Sequence, residues 1–195
     1  PFVHISSDYV FNGMGHTPWQ PMDKTEPQNA YGRSKKIGED GIRKTSSTYA
    51  ILRTSWVFSA HSKNFFKTMI QLSETKKKLY LVADQIGGPT PAKDVAKACI
   101  QIVEHLQQNP SKSGTYHFSG TPDVSWADFA AAIFENSGRA IDVIPISTSD
   151  YPTEASRPLN SKLDCTTIKN TFLIDRPNWR IGLNDTITEI GINSF

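Results

Sequence analysis

Phe2-Val3-His4-Ile5-Ser6-Ser7-Asp8 is an apolar run that breaks into two hydroxyls and an acid. Such a run reads as a buried parallel strand over 2–6, ending at a site. In open α/β sheets the ligand lies beyond the carboxyl ends of the strands. Ser6, Ser7 and Asp8 fall there. Tyr49-Ala50-Ile51-Leu52-Arg53-Thr54-Ser55 repeats the pattern, and an aromatic, Trp56, follows it. Between the two runs lies a loop from about 8 to 29, punctuated by Asn12-Gly13, Gly15, Pro18, Pro21 and Pro27. Asn29 is the candidate cap of a helix over 30–45, with Ile37 and Ile42 among its inward residues. The class is α/β.

That helix opens on Tyr31-Gly32-Arg33-Ser34-Lys35. Residues four apart stack one turn apart on the same helix face. An ammonium beside a phenol favours phenolate and lowers the tyrosine pKa from about 10. A tyrosine tuned downward can give or take a proton at neutral pH. On its own the spacing also describes any surface helix. The strand end changes the reading, because a Ser hydroxyl there could hold a substrate oxygen while Tyr31 delivers a proton to it.

The remaining chain alternates in the same way. Asn64-Phe65-Phe66 begins a helix reaching about 73, Lys76-Lys77-Lys78 is a solvated turn, and 79–82 is a short strand. Asp84-Gln85-Ile86-Gly87-Gly88-Pro89-Thr90-Pro91 is turn-rich, and its paired glycines allow close backbone approach. An amphipathic helix over 91–108 follows, then a strand over 115–118. Ser125 caps the next helix, with Asp128 three residues on as a capping-box variant. A strand over 141–146 leads to a loop over 147–160 that carries Arg157-Pro158. Terminal helices begin near 165, with Trp179 buried. Trp19 reads as an apolar lid over its loop rather than a ligand contact. Trp56 is either core or a flat face for a sugar or base. Arg157 is either a diphosphate fork or a surface ion pair.

A chain of 195 residues can bury one good core, and 37% hydrophobic residues with 10% aromatics suit a globular protein. A net charge of +2 makes no global case for nucleic acid or membrane attraction. No apolar run approaches the ~18 residues needed to span a bilayer, and no signal-peptide pattern is seen. Cys99 and Cys165 match no metal spacing and fit free thiols in a reducing cytoplasm. The histidines at 4, 16, 61, 105 and 117 form no metal spacing, so no metal site is assigned. No glycine-rich dinucleotide fingerprint occurs, although a dinucleotide fold seats the pyrophosphate on such a turn.

Three blocks together carry a resemblance: H-I-S-S-D-Y-V-F-N-G (4–13), P-x-N-A-Y-G-R-S-K-x-x-G-E (27–39) and L-R-T-S-W-V-F (52–58). Asp84-Gln85-x-Gly87-Gly88-Pro89-Thr90 and Ser156-Arg157-Pro158-Leu159-Asn160-Ser161 continue it in order. The chain resembles the dTDP-4-dehydrorhamnose reductase family of the extended short-chain dehydrogenase/reductase superfamily over nearly its whole length. Ser7 stands where many relatives have Thr, and both offer a hydroxyl.

The resemblance implies the C-terminal part of a Rossmann-type doubly wound parallel sheet over 1–75, with the Tyr-Lys helix. A smaller α/β substrate-binding domain would occupy most of 76–195, across a soft boundary. It also implies a preceding segment of roughly a hundred residues that carries the glycine-rich turn. The implied reaction is hydride transfer from NADPH or NADH to C4 of dTDP-4-dehydro-β-L-rhamnose. Ser7, Tyr31 and Lys35 would be catalytic, and Ser6, Tyr31, Lys35 and Ser55 would meet the cofactor. Asp8, Tyr9, Trp56, Asn64, Gln85 and Arg157 would meet the dTDP-sugar. Some members dimerise through a metal, Mg²⁺ among the candidates, held by acidic residues that the resemblance does not place here. Two other readings stay open: a nucleotide-sugar epimerase or dehydratase of the same superfamily, and a non-catalytic regulatory subunit like that of methionine adenosyltransferase.

Overall fold

The computed structural model describes residues 1–151 and 155–191. In chain order, strand β1 (Phe2–Ser7) runs into a 3₁₀ turn at Asp8–Val10, and a long loop leads to α1 (Ala30–Thr45) and β2 (Tyr49–Thr54). Next come β3 (Val57–Phe58), α2 (Phe65–Ser73), β4 (Lys78–Val82), β5 (Ile86–Gly87), β6 (Thr90–Pro91) and α3 (Ala92–Gln108). The chain continues through β7 (Gly114–His117), β8 (Val124–Ser125), α4 (Trp126–Asn136) and β9 (Asp142–Ile146). It closes with β10 (Asn160–Ser161), α5 (Thr166–Phe172) and α6 (Trp179–Glu189).

The apolar runs pair as expected. β1, β2 and β7 form a parallel sheet in that order, with Ser7 beside Thr54 and Arg53 beside His117. Side chains alternate across a strand, so partners in register share a face. One face carries Val3, Ala50, Leu52, Tyr116 and Phe118 into a core closed by α3 and α5. The other carries Ser6, Arg53 and Thr115 toward α1, where Glu39 and Arg43 meet them. Helices thus cover both faces, as in a doubly wound sheet.

β1 is less buried than its apolar sequence suggests. Phe2 is 50% and Ile5 45% exposed, because β1 pairs on one side only among the described residues. Ile37 also departs from expectation. It is 70% exposed, since α1 turns Gly32 and Glu39 into the fold, with Ile42 half-buried.

A second core joins Phe58, Phe66, Met69 and Ile70 to Phe129, Ile133, Trp179 and Leu183, and it includes β4 and β9, which pair in parallel. The two cores do not divide the chain at residue 75. α2 lies with the second core, whereas α3, β7 and Leu163 to Ile174 return to the first. Caps fall where the sequence put them. Asn29 accepts from the Gly32 N–H, and Ser125 and Asp128 complete a capping box. Among the described residues, no helix is long and apolar enough to cross a membrane.

Candidate active site

The carboxyl end of β1 and the first turn of α1 meet because Gly32 lets them. A Cβ at Gly32 would collide with the Tyr9 carbonyl oxygen. The missing side chain therefore seats the start of α1 directly on the 3₁₀ turn that holds Asp8 and Tyr9. Tyr31 lies edge-on to Tyr9, with ring centroids 5.6 Å apart. Its phenol is close enough to Ser7 for that hydroxyl to favour the phenolate. Lys35 Nζ lies 5.7 Å from the Tyr31 ring centroid and donates to the Ile5 carbonyl at 3.2 Å.

The expected lowering of the Tyr31 pKa by Lys35 does not arise in this arrangement. Burial pushes the phenol above its ordinary value, the Ser7 hydroxyl pulls it down, and the Asp8 charge raises it again. The ammonium addresses the ring and the strand backbone. Tyr31 is nonetheless 52% exposed, so a ligand can reach it.

Ser7 Oγ donates to Asp8 Oδ1 at 2.9 Å and accepts from the Tyr9 N–H at 3.2 Å. Asp8 is buried, and its Oδ2 has no hydrogen-bond partner among the described residues. Burial pushes its carboxyl up to about 6, against the pull of Ser161, Ser7 and backbone N–H groups. Tyr9 is also raised, by burial and then by Asp8, while Arg157 pulls it down.

The hydroxyls expected at the cofactor are engaged elsewhere. Ser6 Oγ donates to Glu39 Oε1 at 2.6 Å, and Ser55 Oγ donates to the Gly88 carbonyl at 3.1 Å. Asn64 is likewise committed. Its amide caps α2 through Lys67 N and donates to the Ser59 and His61 carbonyls. No described contact joins it to Ser7 or Tyr31.

Trp56 is not open on both faces. It stacks on Trp126 with centroids 3.6 Å apart and planes 11° from parallel. Its backbone is left-handed (φ 49°), a conformation that costs a bulky residue about 1–3 kcal/mol. Thr90 N holds its carbonyl at 3.1 Å, and a Cβ on Gly87 would come within 2.9 Å of its indole. Gln85 is buried and donates to Thr148 Oγ1 at 3.1 Å. Trp19 packs as the lid its loop suggested, stacked on Phe11 at 4.6 Å.

A cleft of about 1100 Å³ lies beside this cluster rather than at it. Arg33, Lys36, Asn12, Asp84 and Arg157 line it, whereas Ser7 and Tyr31 do not. Arg157 is exposed there. No group of three or more His, Cys, Asp or Glu among the described residues could hold a metal ion.

Sequence reasoning missed the support behind this site. Arg53, 2% exposed, grips Glu39 with Nε at 2.8 Å and Nη2 at 2.7 Å, and its Nη1 reaches the Pro21 carbonyl at 3.0 Å. Burial opposes the Glu39 charge, but Arg53, Ser6 and Arg43 hold the carboxyl below its ordinary value. A signal was there. An arginine inside an apolar strand needs a buried partner, and Glu39 follows Tyr31 and Lys35 at steps of four. Ser161, beside Asp8, carried no such signal.

Residues 1–192 match the family model for the RmlD substrate binding domain. A dTDP-4-dehydrorhamnose reductase of Sinorhizobium fredii is 43% identical over 185 residues, covering 92% of this chain and 62% of that protein. The crystal structure of a dTDP-4-dehydrorhamnose reductase from Clostridium acetobutylicum superposes with a TM-score of 0.90 at 34% identity, over 96% of this chain and 65% of that one. The Bacillus anthracis dTDP-4-dehydrorhamnose reductase, solved in complex with NADP, gives 0.87 at 34% identity over the same shares. The chain therefore spans a little under two thirds of the relatives it matches.

Proposed function

The chain belongs to the RmlD substrate binding domain family, and from that premise we propose that it carries the catalytic and sugar-binding part of an NADPH-dependent dTDP-4-dehydrorhamnose reductase. The observation that carries the reading is the half-exposed Tyr31 phenol converging with Ser7 beyond the end of a parallel strand, with Lys35 beneath the ring.

The described residues suit one end of the cofactor. Lys35 Nζ reaches the Ile5 carbonyl of β1 and Tyr31 is half exposed, whereas no glycine-rich cradle for a pyrophosphate occurs in the chain. Lys35 is assigned the nicotinamide ribose hydroxyls. NADPH, when bound, supplies the hydride that reduces C4 of the sugar.

The chain's own groups handle the oxygen. Ser7 donates a hydrogen bond to the C4 carbonyl oxygen. Tyr31 gives its proton to that oxygen as negative charge develops there, and solvent reprotonates the phenolate. A phenol held above its ordinary pKa keeps its proton until the oxygen calls for it. Asp8, Tyr9 and Trp56 flank the sugar, and Arg157 takes the diphosphate from the cleft side by a bidentate contact. Gln85 acts through its hold on Thr148 at the cleft wall.

The test is NADPH oxidation by the complete protein with dTDP-4-dehydro-β-L-rhamnose, comparing wild type with Tyr31→Phe. Turnover should fall about 10²–10⁴-fold while nucleotide binding persists. Near-wild-type turnover in the variant would remove Tyr31 as the acid. Co-purification with a synthetase, without any turnover, would favour the regulatory-subunit reading.

A further inference from the structure

Asn29 ties together two parts of the molecule that lie far apart in the chain. Its side-chain oxygen accepts from the Gly32 N–H at 2.8 Å and so caps the turn of α1 that carries Tyr31. Its side-chain nitrogen donates to the Ser156 carbonyl at 3.0 Å, across 127 residues. The two ends of an amide are not interchangeable. Only the oxygen can accept and only the nitrogen can donate, so the two bonds together fix the side chain. Asp and Ser cap a helix about as well as Asn. Ionised Asp has no donor, however, and a Ser hydroxyl is too short to serve both partners at once.

The carbonyl that Asn29 holds belongs to the peptide unit leading into Arg157. The residue on the other side is fixed as well. A Cβ on Gly13 (φ 74°) would collide with Pro158, so the Gly13 backbone lies directly against that ring. Asn160 N then donates to the Gly13 carbonyl at 2.9 Å. Proline also confines the residue before it to extended backbone. Arg157 is therefore held through both neighbours, while its side chain stays exposed at the cleft.

The seam is closely packed. Tyr9, Asn29, Ser156 and Pro158 leave between them about 10 Å³, too little for a layer of water. On its inner side Tyr9 meets the Tyr31 ring edge-on at 5.6 Å.

We propose that Asn29 is a positioning residue that sets Arg157 at a fixed reach from Tyr31. One amide holds both the helix turn of the acid and the backbone of the cation. A sugar nucleotide seated on Arg157 by its diphosphate then presents its C4 oxygen to a phenol placed by the same side chain. Such placement counts, because a 1 Å error can cost on the order of 10²-fold in rate. The effect on the reaction rests on the reading of Arg157 as the diphosphate ligand, and the tie itself does not.

The tie is tested without substrate. Asn29→Ser keeps the cap and loses the tie, whereas Asn29→Ala loses both. In the complete protein, the backbone amides of Ser156 and Arg157 should become more mobile in both variants by nuclear magnetic resonance relaxation. The Gly32 amide should stay protected from hydrogen exchange in Asn29→Ser and lose protection in Asn29→Ala. Wild-type order at Ser156 and Arg157 in Asn29→Ser overturns the tie.

The effect is tested by turnover. In Asn29→Ser, kcat/KM for dTDP-4-dehydro-β-L-rhamnose should fall about 10–10²-fold. The KM for NADPH should stay at the wild-type value, although Lys35 stands on the same helix. A mere loosening of α1 would move both. In an Arg157→Ala background, Asn29→Ser should cost nothing further, because residues that act as a unit are not additive. An unchanged kcat/KM, an additive loss, or a loss shared by NADPH overturns the route through Arg157. A protein with no reductase turnover overturns the proposed function instead, and the amide measurement still decides the tie.

Discussion

Two carboxyl groups are buried within reach of helix α1, and they are displaced in opposite directions. Glu39, on the helix itself, has both oxygens served by Arg53, with Ser6 and Arg43 adding further donors. Its pKa is lowered despite complete burial. Asp8, at the foot of the same helix, has one oxygen on Ser7, and the other has no hydrogen-bond partner among the described residues. Its pKa is raised to about 6. Burial is common to both, so the cationic donors on Glu39, Arg53 first and Arg43 with it, decide the sign. The saturated end is a joint that ties α1 to β2 and to the loop at Pro21. The unsaturated end is where chemistry has room.

The comparison can be broken most forcefully at Arg53. Arg53→Met leaves Glu39 buried without its main partner, and loss of about 3–5 kcal/mol is expected in urea unfolding at neutral pH. Pairing it with Glu39→Gln should recover much of that loss, because a neutral amide needs no counter-charge. If the single variant is as stable as wild type, Glu39 does not depend on its donors.

Asp8→Asn should go the other way. A folded pKa near 6 against an ordinary 3.8 means the folded protein holds the proton more tightly, so ionisation works against folding. Relative to the amide, wild type should lose stability as pH rises from about 4 to 6. Above that window the gap levels off near ~3 kcal/mol, about two units at 1.36 kcal/mol each, less whatever the amide leaves unpaired. Glu39→Gln should show the mirror image: destabilised at neutral pH, with the gap narrowing as pH falls below the ordinary value of 4.5. Parallel pH profiles for the two variants would show that one environment governs both.

The smallest effect sharpens the contrast between the helix ends. Asn29→Ala removes the cap that accepts the Gly32 N–H, for about 1 kcal/mol of stability. It should quicken amide hydrogen exchange in the Tyr31 turn and leave the Glu39 turn protected. Equal quickening along α1 would mean that Arg53 does not anchor its far end.

Much of this was legible in the chain. Asn29 and Ser125 announce their helices through capping chemistry that is local in sequence. The runs at 2–6 and 49–55 announce parallel strands for the same reason. Ile37 misled because apolarity marks a surface to be covered without saying by what. The interleaving of the two cores was hidden as well, since nothing in 163–174 says that it packs under α3 rather than beside α4. Asp8 could be placed at a strand end, but its ionisation depends on how deeply the fold buries it, and only the fold determines that.

The stacked pair Trp56 and Trp126 has an optical consequence. Two indoles with centroids 3.6 Å apart couple their excited states, and a paired band of opposite signs in circular dichroism reads the rotation of one ring over the other. One ring follows the sheet that carries Ser7, and the other opens α4 in the second core. The chain thus contains its own gauge of how the end of β2 sits against α4, readable without any added label as a sugar nucleotide is titrated in.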